Sequence, residues 1–251
     1  MTADVATPVV RSTVDEGVAT VTLGSGRRRN ALTRTAWTTL EDVVTRLGAD
    51  PGVRVIVLRG RGGTFCSGSD LTEWAGADAD VVEDSFARME SAFRAVERCP
   101  VPVVAVVTGV AAGAGCQLAL ACDLRLAADS ARIGMPIARH GILTSPAFAA
   151  RLSMLAGPAL TRELLYTGRL LDAPAAAAAG LVNRVCPDDT LDTVAVRLVA
   201  AIGAQPRVAV LAAKQAVTAA LAPVRAATEH RPTPAVSLPE FRAAVAVFTG
   251  G

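Results

Sequence analysis

The chain is short of lysine, histidine and any metal-binding cysteine pattern. Lys214 is the single lysine, so almost every cationic contact must come from arginine. A net charge of +2 leaves no electrostatic case for nucleic acid or for an acidic partner. Five cysteines (Cys66, Cys99, Cys116, Cys122, Cys186) form no CxxC pair, and only His140 and His230 could complete a metal site, so no metal is expected. An odd thiol count in apolar surroundings fits reduced, buried cysteines and a cytoplasmic location. The opening residues "MTADVATPVVRSTVDEG" carry neither a basic stretch nor an apolar core of the signal-peptide kind. Uncharged apolar runs stay short of the ~20 residues a membrane span needs.

What is present is a large apolar fraction, 51% of 251 residues, enough for one sizeable domain with a small appendage. "VVRST" and "VATVTL" around "VDEG" read as a β-hairpin. Thr33 caps a helix to about Leu47, with Trp37, Leu40, Val44 and Leu47 at helical spacing. Strands over 53–60 and 103–109 alternate with helices near 79–98 and after 113. Short strands at 123–127 and 131–136 follow, then helices near 146–156, 158–167 and 173–179. An extended piece covers 181–185, and two helices, about 188–204 and 206–222, close the body. Strands alternating with crossover helices make an α/β protein, in which ligands sit at the carboxyl ends of strands.

Two of those strands end in loops of small residues, "FCSGSDL" and "GAGCQL". Small side chains let backbone amides approach a ligand closely. The second loop opens a helix, whose free N–H groups and dipole favour negative charge. Two convergent amides can hold a carbonyl oxygen and the enolate formed from it, one such donor contributing ~2.7–4 kcal/mol in acyl chemistry. Either loop alone reads equally as tight packing.

As an ordered set, "RRRNALT" (27–33), "GGTFCSGSDLTEW" (62–74), "PVVAVVTGVAAGAGCQLALACDLRLAADSARIGMP" (102–136) and "GLVNRV" (180–185) resemble the enoyl-CoA hydratase/isomerase (crotonase) family over roughly residues 8–222. The resemblance implies the crotonase fold of repeated ββα units with a helical C-terminal segment. It implies trimers or pairs of trimers and coenzyme A thioesters as substrate or ligand, with no permanently bound cofactor. Carried over by position, the oxyanion amides are those of Ser69 and Ala114. Arg28, Arg29, Ala31 and Leu32 match the segment along the CoA nucleotide, and Ser67, Asp70 and Leu71 flank the adenine and pantetheine path.

The same alignment of motifs exposes two departures. Hydratases of the family use two glutamates to place a water and shuttle its proton. Gln117 and Ile137 stand at those positions here. An amide cannot take a proton at neutral pH and isoleucine can do neither job. General acid–base assistance is worth ~10²–10⁴-fold per group. Certain actinobacterial relatives resemble this chain in lacking both acids and in carrying "GAGxQLAxxCDLR". His140, three residues past Ile137, is an alternative base, or simply a capping residue. Ser145 falls where dehalogenase-like relatives carry an aspartate, but "TSPAF" reads more strongly as a helix cap followed by proline. Asp70 and Glu73 suit loop hydrogen bonding and a helix N-terminus, and Cys116 a small buried residue. The basic tail that covers CoA in relatives is absent, with Arg231 or Arg242 as substitutes.

Three readings compete. The first is an acyl-CoA-binding crotonase-fold protein of fatty-acid metabolism with weak or absent hydration. The second is a working enzyme of that fold (hydratase, isomerase, or thioester or C–C lyase) with a relocated base such as His140 or a water on Ser145. The third is a structural subunit without ligand. Residues 1–187 are expected to form the core with its acyl-CoA site, and 188–251 a helical trimerisation segment.

Overall fold

A computed structural model describes residues 9–229 and 235–249. Strand β1 (Val10–Asp15) returns as β2 (Val18–Leu23) through Glu16 and Gly17, both at positive φ (44° and 80°), the turn a tight hairpin demands. From β2 the sheet grows by parallel pairing through β3 (Val55–Gly60), β4 (Val103–Val107), β6 (Leu124–Ala128) and β9 (Arg184–Cys186). Every residue of β4, "VVAVV", is buried, as a central parallel strand covered on both faces requires. A second sheet joins β5 (Val110–Ala112), β7 (Arg132–Gly134) and β8 (Leu170–Asp172).

The expected strand over 103–109 ends at Val107, and a further short strand, β5, follows it in the other sheet. The chain turns at Gly109 (φ 53°), where a Cβ would press on Gly63 O and Thr64 Oγ1. Phe65 N donates to Thr108 O (2.8 Å) and Cys66 N to Val110 O (3.0 Å), so the first glycine-rich loop is stitched to this corner.

Helix α1 (Arg34–Ala49) starts at Thr33, whose hydroxyl accepts from Ala36 N, and buries the expected stripe of Trp37, Leu40, Val44 and Leu47. It lies against α2 (Ala79–Arg98), with the Trp37 and Phe93 rings edge to face at 5.4 Å. Helix α3 (Ala114–Ala121) is buried throughout. Helix α4 (Pro146–Thr167) contains the two expected helices, joined across Gly157 (φ 73°), whose backbone no helix can accommodate. After α5 (Ala173–Ala178) come α6 (Leu191–Gly203), α7 (Arg207–Glu229) and α8 (Leu238–Thr249).

Helix α8 lies within the 188–251 segment expected to be helical, beyond the last helix that the sequence pattern places. Pro239 sits in its first turn, where a missing N–H costs little. Phe241 and Val245, four apart, join Trp74, Val82, Ala235 and Val236 in a second apolar cluster. Helix α7 is long and apolar enough, by length and composition, to meet a membrane-span criterion over Arg207–Thr228, and it lies largely exposed. Lys214 on it donates to Val101 O (2.9 Å) and pairs with Asp123 (2.7 Å), while Arg225 approaches Glu97 at 3.6 Å. These polar ties hold the helix alongside the body. His230 and Arg231 lie outside the described residues.

Candidate active site

The two glycine-rich loops meet at one cavity of about 600 Å³. Gly68 (φ 111°) brings them together: a Cβ there would stand 3.1 Å from Ala112 O and 3.3 Å from the Ala114 amide nitrogen. A Cβ on Gly115 would overlap the Cys66 carbonyl. These two glycines are therefore needed for the close approach of the loops, which brings Gly68, the residue before Ser69, against the Ala114 amide at one cavity.

Neither the Ser69 nor the Ala114 amide has a hydrogen-bond partner among the described residues. Ala114 is the first residue of α3, so its N–H has no intrahelical partner, and Gly113 caps the helix without a side chain. The loop's backbone bonds run from Leu32 N to Gly68 O (2.8 Å) and from Asp70 N to Leu32 O (2.9 Å), bypassing the Ser69 N–H. The Ser69 hydroxyl is turned to the core, accepting from Trp37 Nε1 at 3.2 Å and contacting Met89 Sδ at 3.5 Å. Ser69 thus faces the cavity with its backbone alone.

The cavity mouth is shaped by a run of three non-glycine residues in left-handed conformation, Arg28, Arg29 and Asn30 (φ 48°, 52° and 57°). Such conformations are disfavoured by roughly 1–2 kcal/mol per residue. Asn30 offsets the strain. Fully buried, it donates to Arg61 O and Thr64 O (2.8 Å each) and accepts from Gly26 N (2.9 Å). It is the strut between the arginine loop and the first glycine loop. The resemblance sets Asn30 within the segment along the CoA nucleotide but gives it no role of its own, although an asparagine behind three arginines in a Gly/Ser loop is a left-handed-turn signal.

The left-handed turn delivers Arg28 to Asp70 (2.7 Å) and to Thr72 Oγ1 (2.6 Å). Asp70 also accepts from Thr72 N and Oγ1, capping the short 3-10 turn Leu71–Trp74. Burial pushes the Asp70 carboxyl upward, but hydrogen bonds from Thr72 and Arg28 outweigh it and hold it below the usual range. Asp70 is a paired anion and structural cap. The Arg29 side chain has no hydrogen bond among the described residues and lines the mouth as an exposed cation.

The far wall is the 3-10 turn Ala138–His140 and its preceding residue. Ile137 and His140 both line the cavity. The Ile137 Cγ2 atom is 3.8 Å from where a Gly113 Cβ would be, so it stands directly beside the turn that opens α3. His140 is half-buried, and its imidazole has no hydrogen-bond partner among the described residues. Burial, with Arg139 adding to it, lowers the His140 pKa below the ordinary value.

Three expected site residues are elsewhere. Gln117 is fully buried and does not line the cavity. Its Oε1 accepts from Arg151 Nη1 (2.9 Å), and its Nε2 donates to Phe148 O (3.3 Å) beside Met135 Sδ. Arg151 is itself clamped by Glu97 and Glu90 (2.9 Å each) and lies over the Phe93 ring. Burial alone would lower the Arg151 pKa, but the two glutamates raise it, so the guanidinium stays charged. Gln117 is therefore drawn to α4, and the Phe148 ring takes the cavity face. Ser145 is committed to the α4 N-cap, accepting from Phe148 N at 3.2 Å. Leu32 is core, pairing with Ser69 through its backbone. Arg28, Arg29, Ala31, Ser67, Asp70 and Leu71 do border the cavity.

The thiols carry no chemistry here. All five cysteines are free and buried, and burial pushes Cys66, Cys116 and Cys122 up to about 12. Among the described residues no cluster of histidine, cysteine and carboxylate could hold a metal ion.

Known proteins are similar to this chain over most of its length. The family model for enoyl-CoA hydratase/isomerase matches residues 13–233. A protein of Mycobacterium tuberculosis named as probable enoyl-CoA hydratase EchA14 is 35% identical over 216 residues, covering 86% of this chain and 83% of that one. The crystal structure of an enoyl-CoA hydratase/carnithine racemase from Magnetospirillum magneticum superposes with TM-score 0.82 at 33% identity, covering 86% and 82% of the two chains. An enoyl-CoA hydratase structure from Mycobacterium avium subsp. paratuberculosis gives TM-score 0.85 at 28% identity over 96% of each chain. The matched span runs from the hairpin through both glycine loops to the end of α7, and it places this chain, with its crotonase fold, in the enoyl-CoA hydratase/isomerase family.

Proposed function

We propose that the protein binds acyl-CoA thioesters in fatty-acid metabolism, holds the thioester carbonyl on the Ser69 and Ala114 amides, and hydrates enoyl-CoA poorly or not at all. The observation that carries this reading is that two amides without hydrogen-bond partners among the described residues border one cavity with an isoleucine beside them. Ile137 stands beside the turn where a carboxylate would have to hold water. Gln117 spends its amide on Arg151 and Phe148. Without a proton acceptor at either place, water addition loses both of its acid–base partners.

Arg29 is the cation for the CoA phosphates, with Arg28 held back by Asp70. Ser67, whose hydroxyl donates to Arg28 O (3.0 Å), and Leu71 border the path to the carbonyl. The chain works as a homotrimer or hexamer in the cytoplasm. Residues 1–187 carry the acyl-CoA site, and 188–251 contribute the assembly helices. Support for the assembly is the exposed apolar face of α7, with Val208 and Val217 outward. The reducing compartment fits the five free thiols.

The test is paired. Short and long acyl-CoAs are titrated calorimetrically, and crotonyl-CoA hydration is assayed on the same sample. Micromolar binding with hydration far below ordinary enzyme turnover (about 10 s⁻¹) is expected. Turnover at that rate, or no acyl-CoA affinity, overturns the reading.

A further inference from the structure

We infer that His140 is a catalytic base that takes a proton from the carbon next to the thioester carbonyl, so that the site performs enolate chemistry rather than water addition. This rests on the acyl-CoA reading of the cavity.

The geometry starts from Ile137. Its methyl group lies beside Gly113, against the oxyanion turn. His140 N donates to Ile137 O (3.0 Å), closing one 3-10 turn. Residues three apart in such a turn eclipse, about 6 Å along its axis. Ile137 and His140 therefore share one edge, and both reach the cavity. The imidazole is offset from the oxyanion amides by that turn. A carbonyl held at the start of α3 would have its neighbouring carbon in the same cavity that the imidazole lines, with isoleucine occupying the position nearer the amides.

Nothing competes for the imidazole. It has no hydrogen-bond partner among the described residues, unlike Ser145, Gln117 and Asp70, each of which is committed elsewhere. The charged groups around it are few. Arg139, on the same turn, points its guanidinium at Gly168 O (2.8 Å) and still disfavours an imidazolium. Across the cavity stand Arg28 and Asp70, paired with each other, and Arg29. Helix α4 brings Phe148 and no ionisable group, and α8 brings Glu240 against Gly141. The imidazole is thus neutral at pH 7, as a base must be.

The step balances without a co-reactant. The α-carbon C–H bond breaks and its proton goes to the imidazole nitrogen. The electron pair moves into the carbonyl, and the resulting enolate oxygen is held by the Ser69 and Ala114 N–H groups. Return of a proton from the imidazolium restores the thioester, and in heavy water that proton is a deuteron.

The experiment incubates the whole protein with 3-butenoyl-CoA in D₂O and follows deuterium at the acyl carbons by mass spectrometry, with calorimetric titration of butyryl-CoA on the same samples. The expected result is exchange well above the buffer rate, rising with pH through a midpoint below 6.5. His140→Gln should lower exchange by at least ~10²-fold while butyryl-CoA affinity changes less than threefold. Added imidazole should restore part of the exchange to His140→Ala. Tight butyryl-CoA binding without exchange, or undiminished exchange in His140→Gln, overturns the role of His140 alone. Absence of butyryl-CoA binding overturns the acyl-CoA reading and this inference together.

Discussion

Arg151 holds Gln117: the guanidinium Nη1 donates to the glutamine Oε1 at 2.9 Å, in a buried network anchored by Glu90 and Glu97. The residue that the family resemblance sets at the place of a catalytic acid is thus a tie between α3 and α4.

From that tie follows an asymmetry between the two altered positions. A carboxylate at 117 meets Arg151, so Gln117→Glu should leave crotonyl-CoA hydration at the wild-type background. Ile137→Glu puts a carboxyl beside the oxyanion turn and should give measurable hydration by itself. Hydration restored by Gln117→Glu but not by Ile137→Glu would mean that residue 117 reaches the cavity after all.

Removing the tie should be felt in stability. Gln117→Leu strands one Arg151 N–H in the interior, a loss of about 1–3 kcal/mol for a buried unsatisfied group. Urea unfolding of wild type and variant measures it, and equal midpoints would show that water or another acceptor replaces Gln117.

The Ala114 amide can be deleted with little harm to the fold. Ala114 opens α3 at the one helical position where proline is tolerated. Ala114→Pro should keep the far-ultraviolet circular dichroism spectrum and lower α-proton exchange by ~10²–10³-fold, the usual effect of one oxyanion donor. An unchanged exchange rate would remove Ala114 from the site.

Asn30 is expected to be the most sensitive residue at the mouth. Asn30→Ala leaves Arg61 O and Thr64 O without their donor and keeps a left-handed backbone without its compensation. A loss of about 2–4 kcal/mol is expected, together with weaker acyl-CoA binding, because Arg28 and Arg29 ride on the same turn. Thermal unfolding and calorimetry test both halves.

Asp70 gives the stability curve a direction. Its folded pKa is depressed, with Thr72 and Arg28 outweighing the upward push of burial, so its contribution is complete above the unfolded value near 4. That contribution is lost as pH falls through the folded value. Asp70→Asn should therefore flatten the fall in melting temperature between pH 5 and pH 2. Parallel curves would place the stabilising charge elsewhere.

Much of this was legible in the chain. Caps such as Thr33 and Ser145 act through neighbours in sequence, so their hydroxyls are where the text puts them. The valine strands and the two glycine loops are equally local signals. What could not be read are long-range choices of direction. Nothing near Gln117 says that it turns to Arg151, thirty-four residues on. Nothing near Val107 says that the strand changes sheets at Gly109, because the cause is the loop at Gly63 and Thr64. The helical character of the C-terminal segment was legible, but not where α8 docks, because its apolar partners, Trp74 and Val82, lie far back in the chain.

The second apolar cluster makes the C-terminal helix part of the cavity. Trp74 stacks on Phe86 and meets Phe241 of α8, forming a roof on the side of the cavity that Leu71 and Ile142 complete. Among the described residues only Phe86 and Ile142 belong to both this cluster and the main core. Leu143 N donates to Ala235 O (2.9 Å), Ser237 N to Gly141 O (2.8 Å) and Ala235 N to Glu83 Oε1 (2.7 Å), so the join is made by hydrogen bonds more than by shared apolar packing. The last helix is thus a fitted cover: its rings exclude water and its polar seam fixes where it sits.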